Sequence, residues 1–99
     1  MEWESEYIGG LGSWQRYLNK NLRYPERAMN NNVTGKVIVQ FVISTEGKAT
    51  EIAVFKSVEY SLYKEAMRIL FESPKWKPAS QDGRIVKSYK RQPIIFNLQ

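Results

Sequence analysis

The chain has no histidine and no cysteine. The side chains behind common zinc sites, His-dependent triads and thiol chemistry are therefore missing. Glu46, Glu51, Glu59 and Glu65 show no paired arrangement for acid–base work, and no glycine-rich loop is placed to cradle a phosphate. The reading is not an enzyme, with no catalytic residue, cofactor or metal ligand. Two other chemistries remain. Trp76 stands between Lys75 and Lys77, a pattern that can stack a nucleotide base; a tryptophan fixed by Pro74 and Pro78 is more often a plug at the edge of a core, and that is the reading preferred. The second chemistry belongs to the backbone. Arg84–Leu98 reads as a strand with Pro93 inside it. Proline has no N–H for a ladder, so that strand is expected at a sheet edge or with a bulge.

The elements that hold such an edge are legible in the residue pattern. Val37, Val39, Phe41 and Ile43 alternate with Ile38, Gln40 and Val42, a period of two in β-branched and aromatic residues. Ser44-Thr45-Glu46-Gly47-Lys48 supplies a turn, with Gly47 where positive φ costs least. Ala49–Lys56 returns as the second strand, with Thr50, Ile52 and Val54 on one face and Glu51, Ala53 and Phe55 on the other. A two-stranded hairpin is marginal in water, so the flanking segments must cover it and add a strand.

Upstream, Leu11–Leu22 reads as a helix with Ser13 as N-cap and Trp14, Tyr17, Leu18 and Leu22 as its apolar stripe. Tyr24-Pro25 stops it, and Pro25 opens a short helix to Asn30, with Asn32 suited to a left-handed cap. Downstream, Leu62–Phe71 reads as the main helix, with Ser61 as N-cap, an apolar stripe of Leu62, Ala66, Ile69 and Leu70, and Pro74 as its stop. Ser80-Gln81-Asp82-Gly83 is a turn before the last strand. On that strand Ile94, Phe96 and Leu98 share one face; the same phase runs back through polar Gln92, Lys90 and Ser88 to Val86. Residues 1–10 are read as a flexible tail or linker remnant from which Trp3 and Tyr7 can dock, and residues 11–99 as one domain. The expected fold is α+β: a two-layer sandwich of a three-stranded antiparallel sheet with two main helices on one face, in the order helix–(short helix)–β–β–helix–β.

Composition sets limits on partners. With 99 residues, 42% of them apolar and 25% charged, the chain suits one globular domain. The net charge of +5 favours acidic partners, yet Lys and Arg are spread along the chain, as on an ordinary solvated surface. No run approaches 18 apolar residues, so no membrane-spanning helix is expected, and no signal peptide is visible.

The ordered set of motifs resembles a TonB carboxy-terminal domain. It comprises Tyr24-Pro25 and Ala28, then Gly35-x-Val37-x-Val39-x-Phe41-x-Ile43, Gly47 and Ser57. Glu65-Ala66-x-Arg68, Pro74-Lys75-Trp76-x-Pro78, Gly83 and Pro93-Ile94-x-Phe96-x-Leu98 complete it. Gly9-Gly10 ahead of Asn21-Leu22-Arg23-Tyr24-Pro25 is similar to the Bacteroidetes-type variant, and the match covers roughly residues 9–98. Tyr63 stands where the family commonly has an acidic residue, Asn32 where glycine is usual, and Ser88, Lys90 and Gln92 where the strand is usually more apolar.

The resemblance implies the periplasmic, transporter-gripping end of an energy transducer anchored in the inner membrane. In that family a membrane helix meets a proton-driven motor of the ExbB/ExbD type, and a proline-rich linker crosses the periplasm. A segment of an outer-membrane TonB-dependent transporter, the TonB box, is expected to add as a strand along Arg84, Ile85, Val86, Lys87, Ser88, Tyr89, Lys90, Arg91 and Gln92. By family analogy Tyr24, Pro25 and Arg27 lie near the box, with Arg27 offering a charge; a plain helix stop is the other reading of Tyr24-Pro25. The same edge can pair with a second copy of the chain. Rival readings are a TonB-like appendage of a membrane-bound sensor or regulatory protease and a small basic nucleic-acid-binding domain. The latter is disfavoured because no aromatic pair sits on a central strand and the basic residues do not cluster.

Overall fold

A computed structural model of the chain describes residues 4–57 and 59–98. Its elements are β1 (Glu6–Tyr7), α1 (Gly10–Asn21), α2 (Glu26–Asn30), β2 (Gly35–Ile43) and β3 (Ala49–Lys56). After these come α3 (Tyr60–Phe71), β4 (Trp76–Lys77), β5 (Ala79–Gln81), β6 (Arg84–Val86) and β7 (Ser88–Phe96). The architecture is the expected α+β one. The hairpin β2–β3 and the last strand make an antiparallel sheet in the order β3-β2-β7, with the core on its helix side.

Period-two patterning decides which face is buried. Val37, Val39, Phe41 and Ile43 of β2 are fully buried, as are Ile94 and nearly all of Phe96 on β7. Leu62, Ala66, Ile69 and Leu70 of α3 and Trp14 of α1 pack on them. A second cluster joins the two helices: Arg68 Nη2 and Nε reach Glu65 at 2.7 and 2.8 Å, Arg68 Nη2 donates to the Asn21 carbonyl at 2.8 Å, and the Arg23 N–H donates to Glu65 at 2.7 Å. The last carbonyl of α1 and the N–H of Arg23 just after it are thereby tied to α3 by charged hydrogen bonds.

The helix starts differ from the expected ones. Gly9, in the left-handed region, begins α1, and the Ser13 hydroxyl instead accepts from Arg16 at 2.9 Å. Glu59 rather than Ser61 caps α3, its carboxylate accepting the Ser61 N–H and hydroxyl. Pro25 is itself the cap position of α2, with ψ of 136°, because its extended backbone lies just outside the helix. Asn32 does adopt positive φ, at 55°.

Two further differences bear on function. The stretch read as a flexible tail packs, in part, against the domain. Glu6 and Tyr7 pair with Lys77 and Trp76, Tyr7 is buried, and its ring lies edge-on to Trp14 and Trp76 at 5.3 and 5.2 Å. An isolated Tyr in an acidic, glycine-terminated stretch carries no periodicity, which is why pattern alone leaves its docking open and does not say where it lands. Trp3 lies outside the described residues. The expected single strand from Arg84 is also interrupted at Lys87. Asp82 and Gly83, with φ of 52° and 78°, form the tight turn of a separate two-stranded ribbon, β5–β6.

Candidate functional site

The sheet has two edges, and they are not equivalent. On β3 the register against β2 shifts twice, and Glu51 carries φ of 50°. Such bulges blunt an edge against pairing. On β7 the nine pairs from Gly35↔Phe96 to Ile43↔Ser88 run without a shift, so β7 is the straight edge.

Hydrogen-bond parity fixes where its peptide groups point. Thr50 Oγ1 of β3 donates to the Val42 carbonyl at 3.1 Å, and Ser44 N–H donates to the Lys48 carbonyl at 2.9 Å. Even-numbered residues on this side of β2 therefore turn their peptide groups toward β3, and odd-numbered ones toward β7. Val39, Phe41 and Ile43 bond Gln92, Lys90 and Ser88, which stand opposite them. Pro93, opposite Ile38, falls in the non-bonded class, as a residue without N–H requires. Tyr89, Arg91, Pro93 and Ile95 then direct their carbonyls away from the sheet, and all but Pro93 an N–H as well. No backbone partner meets this row among the described residues.

Side chains alternate with the same parity. Tyr89, Arg91, Pro93 and Ile95 are exposed on the helix-free face. There the Arg91 guanidinium lies over the Phe55 ring at 4.0 Å and reaches Gln40 at 3.1 Å. Ser88, Lys90 and Gln92 turn to the helix side, which explains their polar character. The Ser88 hydroxyl donates to Ser5 Oγ at 2.6 Å, and Lys90 Nζ donates to the Ser5 carbonyl at 2.7 Å. Ser5 is the one buried polar side chain among the described residues. Sequence reasoning missed it; polar residues in the core phase of a strand were the available signal, since they imply a polar backbone opposite.

The expected site residues fall into three groups. Ser88, Tyr89, Lys90, Arg91 and Gln92 lie together on the open edge. Arg84, Ile85 and Val86 are already paired on one side with Gln81, Ser80 and Ala79, and Lys87 links the two strands. Tyr24, Pro25 and Arg27 lie toward the other end of β7. The Tyr24 ring is edge-on to Phe96 at 5.6 Å and its hydroxyl donates to the Val33 carbonyl. Ser88 is about 27 Å from Phe96 along the strand, at about 3.4 Å per residue. Tyr24 thus anchors the segment after α1, which ends at Asn21, against Phe96 and Val33, while Arg27 is largely exposed and lies 3.5 Å from Glu59.

Trp76 is buried, ringed by Tyr7, Trp14 and Phe41 at 5.2–5.4 Å, and its indole N–H donates to Ser73 Oγ at 3.0 Å. It plugs the core and offers no face to a nucleotide. Gly47 seats it: φ is 83°, a β-carbon there would collide with the Trp76 carbonyl, and the Gly47 carbonyl accepts the Trp76 N–H at 2.7 Å. Burial pushes the Tyr17 hydroxyl up to about 12, with Tyr7 and Glu72 adding to the effect; it donates to the Ile69 carbonyl at 2.8 Å.

A short sheet roofed by helices on one face and, among the described residues, left unpaired along one straight edge defines an open-edged α+β domain. Its relatives are specific. The family model for the Gram-negative bacterial TonB protein C-terminal matches residues 20–98, and the chain belongs to that family. The fold is similar to the TonB carboxy-terminal domain of Helicobacter pylori, with a TM-score of 0.64 and 26% identity over 86% of this chain and 77% of that one. It is also similar to that of Pseudomonas aeruginosa, with a TM-score of 0.59 and 25% identity over 78% of each chain. No curated protein matches in sequence. The family is one of transducing and binding domains, and no helix among the described residues is long and apolar enough to cross a membrane.

Proposed function

We propose that this domain grips outer-membrane transporters by accepting an extended transporter segment, the TonB box, as a strand on the outer edge of β7. The carrying observation is the outward row of peptide groups from Tyr89 to Ile95, regular in register where the β3 edge is bulged. Strand addition uses main-chain hydrogen bonds and so needs little side-chain identity, which suits a protein serving several transporters. Bonds lying across the direction of pull share load along the strand, so a modest contact transmits force from a proton-driven motor. In this reading the domain is periplasmic, belongs to a protein anchored in the inner membrane, and works with an ExbB/ExbD-type motor. Of the nine expected edge residues, Ser88–Gln92 carry the docking, and it extends to Ile95. Arg27 offers its charge at the far end. Pairing of two copies through the same edge competes with the box.

The absence of cysteine gives a clean test. Single cysteines are placed at Tyr89 and Arg91 on the proposed edge and at Ala53 on the opposite one, and each variant is mixed with box peptides carrying one cysteine. Disulfide formation concentrated at positions 89 and 91 supports the docking edge. Equal or stronger crosslinking at 53 overturns it.

A further inference from the structure

A cleft of ≈ 650 Å³ lies at the Ser88 end of the open edge. One wall is the run 87–91. Neighbouring residues of a strand project to opposite faces, so a cleft lined by all five opens along the edge and not against one face. β5 supplies a second wall, and Glu4 and Ser5 a third. The volume falls within the roughly 300–1,000 Å³ of ligand-binding clefts. A strand laid against Tyr89 and Arg91 and continued past Ser88 enters it.

The third wall is fastened by the docking strand itself. Ser5 is buried; its hydroxyl accepts from Ser88 at 2.6 Å and its carbonyl from Lys90 Nζ at 2.7 Å. Just after it, Glu6 and Tyr7 pair with Lys77 and Trp76, and the Tyr7 ring sits among Trp14, Tyr17 and Trp76 at 5.2–5.7 Å. Two side-chain bonds, a two-residue bridge and one ring hold this segment, against the nine pairs that hold β7 on β2. A segment so tied opens at a lower free energy than the sheet does. Ser88 and Lys90 belong to both structures: their peptide groups bond β2, and their side chains clasp Ser5.

We infer that residues 4–7 are a strap that closes the cleft beside the end of the docked strand, so that strap closure and docking favour one another. The inference rests on strand addition to β7 and adds a control element to that contact. Coupling of this kind is reciprocal: the docked strand holds the strap shut, and an open strap weakens the grip. Tension applied ahead of Glu4 meets these few contacts before it meets the sheet, which makes strap opening a route to release. A segment that only packs against the domain would show no such linkage.

The test cuts the strap and then restores it. Lys90→Met removes the tie to the Ser5 carbonyl while keeping an unbranched side chain. Ser5→Cys and Ser88→Cys are added, since their hydroxyls touch at 2.6 Å, close enough for a disulfide, and the chain has no cysteine of its own. The reduced triple variant is expected to bind box peptide about fivefold or more weakly than the native domain, the lower end of ordinary coupling between sites, and oxidation should recover the affinity. Should that variant not fold, the native domain carries the test: saturating peptide should slow exchange of the protected β1 amide by about the same factor. Shifts at the Tyr89 and Arg91 amides, with equal affinities in the reduced and oxidised forms or with β1 exchange unchanged, overturn the strap and leave the docking edge standing. Absence of shifts at Tyr89 and Arg91 in the native domain overturns the two together.

Discussion

Proline substitution can separate the two sides of β7, because only one side belongs to the fold. Tyr89 directs its N–H outward, and its exposed side chain makes no hydrogen bond among the described residues. Tyr89→Pro therefore removes no ladder bond, and its stability should stay within about 1 kcal/mol of the native domain, as for proline at other edge positions. It does delete one donor offered to an incoming strand, and the ring projects where that strand must lie. One net hydrogen bond corresponds to about 0.5–1.5 kcal/mol, so box-peptide affinity should fall at least three- to tenfold. Gln92→Pro is the mirror experiment. It breaks the bond to Val39, whose residue is fully buried, and leaves a buried carbonyl unsatisfied at a cost of about 1–3 kcal/mol. Urea denaturation followed by tryptophan fluorescence measures the stabilities, and calorimetric titration with box peptide measures the affinities. If Tyr89→Pro destabilises the domain as much as Gln92→Pro, the parity assigned to the strand is wrong.

Other expected outcomes follow from the packing around that edge. Raising pH from 10 toward 12 should lower stability. Tyr17 holds its proton to about 12 in the fold but only to about 10 when unfolded, so its contribution is complete below pH 10 and fades as pH rises through the folded value. Urea midpoints at pH 9 and pH 11.5 check this, and Tyr17→Phe should flatten that part of the profile. Glu65→Gln should destabilise by about 2 kcal/mol, since it removes the charge that meets both Arg68 and the Arg23 N–H at a largely buried position; a midpoint unchanged in urea would contradict the α1–α3 clamp. Tyr7→Ala should cost about 3 kcal/mol through the lost aromatic burial, an outcome thermal melting distinguishes from the null effect of a free tail.

Much of this was legible before any coordinates because local and global signals agree. The hairpin Gly35–Lys56 declares itself through β-branched alternation on either side of the Ser44–Lys48 turn, and Pro93 narrows the last strand to a sheet edge or a bulge. What stayed hidden depends on contacts distant in sequence. Ser5 meets Ser88 and Lys90 across more than 80 residues, and the docking of Tyr7 depends on where Trp76 lies. Helix starts failed for a local reason: Ser13 and Ser61 are good caps by type, but Gly9 and Glu59 stand earlier and supply the left-handed turn or the carboxylate. Lys87 splits the expected strand because the positive φ values at Asp82 and Gly83 close a ribbon of their own. The open edge was readable only as a possibility, since vacancy is a property of neighbours and not of residues.

Amide hydrogen exchange, residue by residue, tests that vacancy most directly. In the free monomer the Tyr89 and Arg91 amides should exchange at close to solvent-exposed rates while Lys90 and Gln92 are protected, and saturating box peptide should slow Tyr89 and Arg91 at least tenfold. Protection of Tyr89 and Arg91 equal to that of their neighbours before peptide is added, or no slowing after it, would contradict the account.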